Sequence, residues 1–365
     1  MEFTVNRTEL VRELNLSRGA VDSSAMIPIL SHVLVEAEAD RIVITATDLD
    51  LAIRCSCPAR VKTAGAMAIP GKRFLDYVKL LPGGDVAIVE QANSWIKVSC
   101  GRAQARMAAL ARDSWPAMPA MPEMDSIEIP GAALAEMISR TEFAISREET
   151  RFTLDGGSFA PGDPISLVAT DGHRLALAGK DAAKGKRVLV PRKALAQIAK
   201  LAVAEAATVR FARDGNHLFF EIVSSGSTRL LISRELTGNF PDYARVLPKA
   251  AAHSVELERA ALKGAIERVA QFSDEGSRAI KVTLRAGEMV LRSAVSEVGE
   301  SEESVAVDYA AGAVEIGFNA EYLLDFLRVV ASERVAFLFT DGQSAGEFRP
   351  VGEEGYRYVV MPMRV

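Results

Sequence analysis

The stretch Thr170-Asp171-Gly172-His173-Arg174-Leu175 holds the residue types nearest to chemistry. An aspartate and a histidine two residues apart have the makings of an acid–base pair, with the carboxylate orienting the imidazole. A turn that ends a strand uses Asp and Gly for its own reasons, however, as a side-chain acceptor and a flexible backbone position. No Gly-x-Ser-x-Gly elbow, phosphate loop or His-Glu-x-x-His helix accompanies the cluster. Cys55-x-Cys57 is a poor zinc half-site: it lacks a second pair, and on a strand its side chains share one face. With Cys100 the count is three, which reads as buried, reduced thiols in a cytosol. Gly83-Gly84 and Gly156-Gly157 read as hairpin turns, since no Gly-x-Gly-x-x-Gly opens a helix. These patterns favour binding over catalysis, and no catalytic residue, metal or cofactor is assigned.

The elements that would position this patch occur three times. A first helix is read at Leu10, Val11 and Leu14 after Asn6-Arg7-Thr8-Glu9, at Leu134, Met137, Ile138 and Thr141 after Pro130, and at Leu262, Ala265, Ile266 and Val269 after Glu258. A second helix follows Pro70, Pro191 and Phe318. Between the helices, Thr45-Ala46-Thr47-Asp48-Leu49 is echoed by Val168-Ala169-Thr170-Asp171-Gly172. The period is that of a whole domain rather than a solenoid repeat. The remainder reads as short strands, among them Arg41–Thr45, Trp95–Ser99, Leu218–Val223, Val335–Phe339 and Tyr356–Val360, so each unit is α+β with two helices and antiparallel sheets. Proline-rich linkers at Trp115–Pro122 and Phe240–Pro248 set the units at 1–124, 125–252 and 253–365.

The chain has 365 residues, 49% of them hydrophobic, and a formal charge of −5. A net-acidic protein does not hold nucleic acid by bulk charge. No apolar run approaches the ~20 residues of a membrane span, and no signal peptide is visible at Met1–Val5. Charge is nonetheless uneven. Lys72, Arg73 and Lys79 lie on the second helix of unit one, with only Asp76 opposing, and Arg192, Lys193 and Lys200 on its counterpart, with no acid between them in sequence. Arg7, Arg12, Arg18, Arg259, Lys263, Arg268 and Arg328 lie on other helices, with acids interspersed. The recurrence suggests one shared basic surface. The run Glu297, Glu300, Glu302 and Glu303 lies in a loop or edge strand and is matched in charge by Arg102 and Arg106.

Several motifs, in order along nearly the whole chain, resemble the bacterial DNA polymerase III β subunits, the sliding clamp family. They are Ile27-Pro28-Ile29-Leu30, Ala169–Ala176, Val190-Pro191-Arg192-Lys193, Asn239–Tyr243, Arg245–Pro248, Ile316-Gly317-Phe318-Asn319 and Tyr358–Arg364. The resemblance implies a head-to-tail homodimer, with three domains per chain and six around a closed ring. Twelve helices would line the hole. It implies a non-catalytic processivity factor that holds polymerase on duplex DNA without base specificity. The DNA-facing residues would be Lys72, Arg73, Lys79, Arg147, Arg192, Lys193 and Lys200. The dimer interface would join Arg102 and Arg106 to Glu297, Glu300, Glu302 and Glu303, with Phe272 as an apolar contributor.

The resemblance also implies a peptide pocket between the second and third units. From unit two it would take Leu154, Thr170, Gly172, His173, Arg174, Leu175, Pro241, Arg245 and Val246. From unit three it would take Asn319, Tyr322, Met361, Pro362, Met363 and Arg364. Leu, Val, Pro and Met would form an adaptable trough, and the Arg and His rim would hold a partner's backbone or carboxylate. The implied partners are a second copy of the chain, double-stranded DNA, the polymerase III alpha subunit, the clamp-loader delta subunit and other clamp-binding polymerases and repair proteins. The implied location is cytoplasmic, at the nucleoid during replication. Three places depart from the family pattern: Val365, Gly276-Ser277 and Gln343-Ser344-Ala345-Gly346. The loop Val21–Ala25 also carries an acid. Rival readings are an enzyme centred on Asp171 and His173, a peptide-binding adaptor that never encircles DNA, and a second-copy clamp with altered partners.

Overall fold

The structure, a computed structural model, describes residues 1–22, 26–123, 126–148, 150, 152–180, 186–202, 207–224, 227–295 and 299–364. By compactness the chain forms two units, Met1–Ala135 with Lys193–Glu235, and Glu136–Arg192 with Leu236–Val365. This partition runs through the second sequence repeat.

Among the described residues there are six α-helices, two per repeat: α1 (Arg7–Ser17), α2 (Gly71–Leu80), α3 (Gly131–Ser139), α4 (Arg192–Ala202), α5 (Arg259–Val269) and α6 (Ala320–Val329). Asn6 caps α1, its side chain accepting from Thr8 N at 2.9 Å and Glu9 N at 3.4 Å; Asn319 does the same for α6 at 2.9 and 3.4 Å. Such caps satisfy N–H groups that have no partner within the helix. Buried side chains recur at helical spacing: Phe74, Leu75 and Val78 in α2, and Leu262, Ala265, Ile266 and Val269 in α5. The first helix departs from a simple apolar stripe. Its buried face is Leu10, Glu13, Leu14 and Ser17, while Val11 is only half-buried.

Every sheet is antiparallel, and each repeat supplies the same strand pattern. In repeat one, Glu2–Asn6, Asp85–Gln91, Trp95–Cys100 and Ala103–Ala108 pair in that order, and Gly65–Pro70, His32–Glu38, Arg41–Thr47 and Leu51–Thr63 form a second ladder. Both belong to a thirteen-stranded sheet of the first unit. Repeat one joins repeat two where Leu51–Thr63 pairs with Ser227–Arg234, placing Ile53 opposite Leu231. In the second unit an eight-stranded sheet joins repeats two and three by the equivalent strands. There Arg174–Gly179 pairs with Tyr356–Val360, and Ala176 faces Tyr358. A four-stranded sheet, Gly299–Ala306, Glu288–Val295, Ala279–Arg285 and Val314–Asn319, completes repeat three.

Some sequence readings change. Gly156 and Gly157 are not a hairpin turn but the buried start of the strand Gly156–Ala160. A Cβ on Gly156 would lie 2.3 Å from the Val190 carbonyl oxygen, so close strand packing requires glycine there. Gly83-Gly84 connects α2 to a strand rather than closing a hairpin. The linker Trp115–Pro122 also has a packing role. Met118 and Met121 pack on the cluster of Ala52, Ala212, Phe219 and Ile232.

The deepest polar contact of the first unit joins repeats one and two. Glu13, fully buried, accepts from Arg229 Nε at 3.0 Å and Nη2 at 2.8 Å, and from Arg12 Nε at 2.8 Å. Burial by itself would raise the Glu13 pKa, but the hydrogen bonds and charges of Arg229 and Arg12 outweigh it and hold the carboxyl below its ordinary range. Beside it, burial pushes the Cys57 thiol up to about 12, with Glu13 contributing. All three cysteines are buried and reduced.

Removing one member of this pair leaves the other charge buried and alone. Glu13→Ala or Arg229→Ala is therefore expected to destabilise the first unfolding transition by about 3–5 kcal/mol, with an apolar double replacement recovering most of it. The lowered Glu13 pKa adds stability above the unfolded carboxylate range that is lost as pH falls through the folded value. Denaturant midpoints measured from pH 7 down to 3 should show that loss in the wild type and not in the apolar double variant.

Candidate functional site

The Thr170–Leu175 turn is built by side chains closing on backbone. The Thr170 hydroxyl donates to Arg174 O at 2.6 Å and accepts from Gly172 N at 3.1 Å. Asp171 Oδ1 accepts from His173 N at 2.9 Å and Arg174 N at 3.0 Å. Gly172 has φ +90°, a conformation that suits glycine. Repeat one forms the same turn bond for bond. Thr47 Oγ1 donates to Leu51 O at 3.1 Å and accepts from Leu49 N at 3.0 Å, while Asp48 Oδ1 accepts from Asp50 N and Leu51 N. There Leu49 takes the glycine place, at φ +79°. Asp171 thus serves the backbone and does not hold the His173 ring, so the acid–base pair is not assembled. No group of three or more His, Cys, Asp or Glu side chains suited to a metal occurs among the described residues.

Arg174 is the centre of the cluster. Nε donates to Asp171 Oδ2 at 3.0 Å, Nη1 to Asp325 Oδ2 at 2.6 Å and Nη2 to the Phe143 carbonyl. Its guanidinium carbon lies 4.3 Å from the Tyr322 ring centroid, a cation–π contact. Burial acts to lower the Arg174 pKa, but Tyr358, Asp325 and Asp171 more than reverse it and keep the cation fixed. Burial and the Asp171 charge raise the Tyr322 pKa. In this structure each of its three nitrogens donates to a partner within the chain.

Around this centre the sequence-assigned residues come together unevenly. Leu175 is buried in a cluster with Val168, Leu177, Tyr243, Leu247 and Val359, against which Phe240 and Ala345 pack. Ala345 thereby gives the departing Gln343–Gly346 segment a packing role. Val246 and Met361 are 42% and 43% exposed. Met361 N donates to His173 O at 2.8 Å and Met363 N to Gly317 O at 2.9 Å, so the C-terminal segment is tied at two points. Pro241, Gly172, His173 and Arg364 are exposed, and Pro362 is half-buried. Arg245 is exposed and paired with Asp242 at 2.8 Å. Asn319 is the α6 cap, and its Nδ2 donates to Ser277 O at 3.1 Å. Leu154 is buried, its carbonyl accepting from Ser146 N. Val365 lies outside the described residues. The sequence reading did not assign Asp325, Phe143 or Tyr358 to the site; Asp325 and Phe143 carry no local motif, and Tyr358 opens the terminal motif without a role of its own.

The basic helix residues divide into matched and unmatched charges. Arg7 donates to the Val78 and Lys79 carbonyls at the end of α2, and Arg259 to Leu327 O and Ser332 O at the end of α6. Both act as helix caps rather than as free surface cations. Arg192 pairs with Asp155 at 3.2 Å and Lys193 with Asp48, acids that sequence proximity did not reveal. Lys72, Arg73, Arg147 and Lys200 are exposed, and Lys79 is half-buried, with no ion-pair partner among the described residues.

Of the strands equivalent to those that join the repeats, Ala103–Ala108 and Gly299–Ala306 are paired on one side only, as are the ladder ends Ile127–Pro130, Val188–Pro191, His253–Glu258 and Val314–Asn319. Arg106 on the first stacks over Trp95 at 5.2 Å. On the second, Glu300 pairs with Arg292 at 2.6 Å and Glu303 with Arg268, while Glu302 has no ion-pair partner among the described residues. The Phe272 ring lies 3.3 Å from where a Cβ on Gly299 would stand. Glu297 lies outside the described residues.

Three family models cover the chain in succession: the DNA polymerase III beta subunit N-terminal domain over residues 1–119, the central domain over 128–242 and the C-terminal domain over 244–364. The beta sliding clamp of Caulobacter vibrioides is 34% identical over 376 residues, covering all of both chains. The DNA polymerase III subunit beta of Pseudomonas aeruginosa superposes with a TM-score of 0.92 at 32% identity, again over the full length of both. A sliding clamp from the same organism, bound to griselimycin, gives a TM-score of 0.93 at 32% identity over both whole chains. With its three α+β repeats and antiparallel sheets, the chain belongs to the family of bacterial DNA polymerase III beta subunits, the sliding clamps.

Proposed function

We propose that two copies of this chain, each made of clamp domains 1–124, 125–252 and 253–365, close head to tail into a ring around duplex DNA. The ring holds the replicative polymerase, the clamp loader and repair proteins there without doing chemistry itself. One observation carries the ring. The strand Leu51–Thr63 of repeat one pairs with Ser227–Arg234 of repeat two, and Arg174–Gly179 of repeat two pairs with Tyr356–Val360 of repeat three. Gly299–Ala306 and Ala103–Ala108 are the equivalent strands of repeats three and one, and each has one open edge. An open edge seeks a partner, and a heterologous contact made twice closes a dimer. Exposed Arg102 and Arg106 face one way from their strand region, and Glu300 and Glu302 from theirs, so the two edges are complementary.

The second part of the reading is the peptide pocket around Leu175, Val246, Tyr322 and Met361–Arg364. Its support is the pair of exposed apolar side chains beside a rigid, charged-group-saturated turn. The griselimycin-bound relative supports ligand capture by a clamp of this fold. A clamp of this kind works at the nucleoid in the bacterial cytoplasm. DNA contacts fall to Lys72, Arg73, Arg147 and Lys200 first, because Arg192 and Lys193 already have acids. Such contacts are sequence-blind and permit sliding.

The ring is tested by retention. Protein loaded on a nicked circle should survive salt that abolishes phosphate contacts and should leave once the circle is linearised; equal retention on linear DNA removes the ring. Closure is tested by charge reversal. Arg102→Glu with Arg106→Glu should weaken the dimer, each rim pair contributing about 0–1 kcal/mol, and Glu302→Arg should restore part of it in analytical ultracentrifugation. Deleting residues 361–365 should leave dimer mass and DNA retention intact. It should weaken binding of a polymerase tail peptide at least roughly thirtyfold, the equivalent of one lost apolar anchor of ~2 kcal/mol, as read by fluorescence anisotropy.

A further inference from the structure

Asp325 lies on α6, outside every position that the sequence motifs assign to the pocket. It stands one helical turn beyond Tyr322, so both project from neighbouring places on one helix face. Between them they grip a single group. Tyr322 covers the face of the Arg174 guanidinium at 4.3 Å, and Asp325 Oδ2 takes its edge at 2.6 Å. We propose that Asp325 is a positioning residue for peptide binding: through Arg174 it fixes the 170–175 turn, the Tyr322 ring and the C-terminal wall, without touching the peptide. This rests on the pocket reading above and adds a residue to it.

The route is continuous in hydrogen bonds. Asp325 orients Arg174, whose Nε holds Asp171 Oδ2 at 3.0 Å. The other oxygen of that carboxylate accepts from His173 N and so sets the peptide plane that follows. His173 O then accepts from Met361 N, the first residue of the wall. The far end of the wall is held by Gly317 O, in the strand that leads into α6. Both anchorages therefore return to α6. Asp171 alone does not replace Asp325, because one of its oxygens is occupied by backbone N–H groups. The Phe143 carbonyl takes the last guanidinium nitrogen but carries no charge. The Asp325 side chain is 25% exposed and partly shared with Arg328 at 3.0 Å, which supplies an internal control.

The probe is a fluorescein-labelled copy of the polymerase III alpha subunit's C-terminal tail, titrated by anisotropy against the full-length dimer. Asp325→Asn is expected to weaken binding roughly tenfold, the size of coupling found between residues of one network. Dimer mass and DNA retention should not change. Arg174→Gln combined with Asp325→Asn should bind no more weakly than Arg174→Gln alone, since both act through one contact. Asp325→Glu should recover most of the affinity, and Arg328→Ala should match wild type. Without peptide, the 19F resonance of fluorotyrosine at position 322 should move in Asp325→Asn. Should that variant fail to reach dimer mass, Arg174→Lys, which keeps the charge but cannot bridge two acids, should show the same loss. Wild-type affinity in Asp325→Asn, or losses in the double variant that multiply, overturns the proposal while the pocket stands. A chain lacking residues 361–365 that binds the tail at full strength removes the pocket, and the proposal with it.

Discussion

An exposed strand edge is a row of unsatisfied backbone donors and acceptors, and the architecture is governed by where those rows end. Two such edges per repeat matter for joining: Leu51–Thr63 and Ala103–Ala108, Arg174–Gly179 and Ser227–Arg234, and Gly299–Ala306 and Tyr356–Val360. Within the chain, four of the six edges are consumed in two antiparallel junctions of matching register type. The helices are secondary to this: their apolar faces cover sheets whose order the junctions have already set. Family membership and strand order lead to the same place, a chain with one edge of each kind remaining. Arg106 on one of those edges and Glu300, Glu302 and Glu303 on the other limit indiscriminate pairing.

Each junction also carries an arginine from repeat two, paired with acid from a different repeat: Arg229 with Glu13 in one, Arg174 with Asp325 in the other. Ion pairs of this kind add little net stability over a packed apolar alternative, and their better-attested use is to fix register. That fits their position. A slip of one residue in either strand would turn every side chain to the wrong face and would strand a charge as well. The difference between the two junctions is what surrounds the arginine. Around Arg229 everything is closed, whereas Arg174 sits beneath the Tyr322 ring in a turn whose Gly172 and His173 are exposed.

Much of this was legible in the residues, and the reasons are physical. Asn6 before an apolar helical pattern is a local signal and holds in the structure. So are the Thr-Asp turns at 47 and 170, because their bonds close within five residues. What failed was long-range. Arg7 and Arg259 looked like surface cations, since nothing local says that a guanidinium will reach carbonyls more than sixty residues away. Lys193 appeared unopposed because Asp48 belongs to another repeat. Glu13 did leave a trace: a carboxylate at the i+3 position from Leu10 on an otherwise apolar face requires a buried cation. Gly156-Gly157 misled because a glycine pair signals a turn and a tight strand crossing equally well.

The capping arginines have a consequence for motion along DNA. A helix C-terminus carries a partial negative charge, which repels a passing polyanion. Arg7 and Arg259 quench that charge at the ends of α2 and α6, and Asp155 and Asp48 temper the strongest cations at the start of α4. Lys72, Arg73 and Lys200 are exposed, with no ion-pair partner among the described residues. With helix ends quenched in this way, the ring proposed above would offer a sliding phosphate backbone a low barrier between neighbouring base pairs rather than grip at any one.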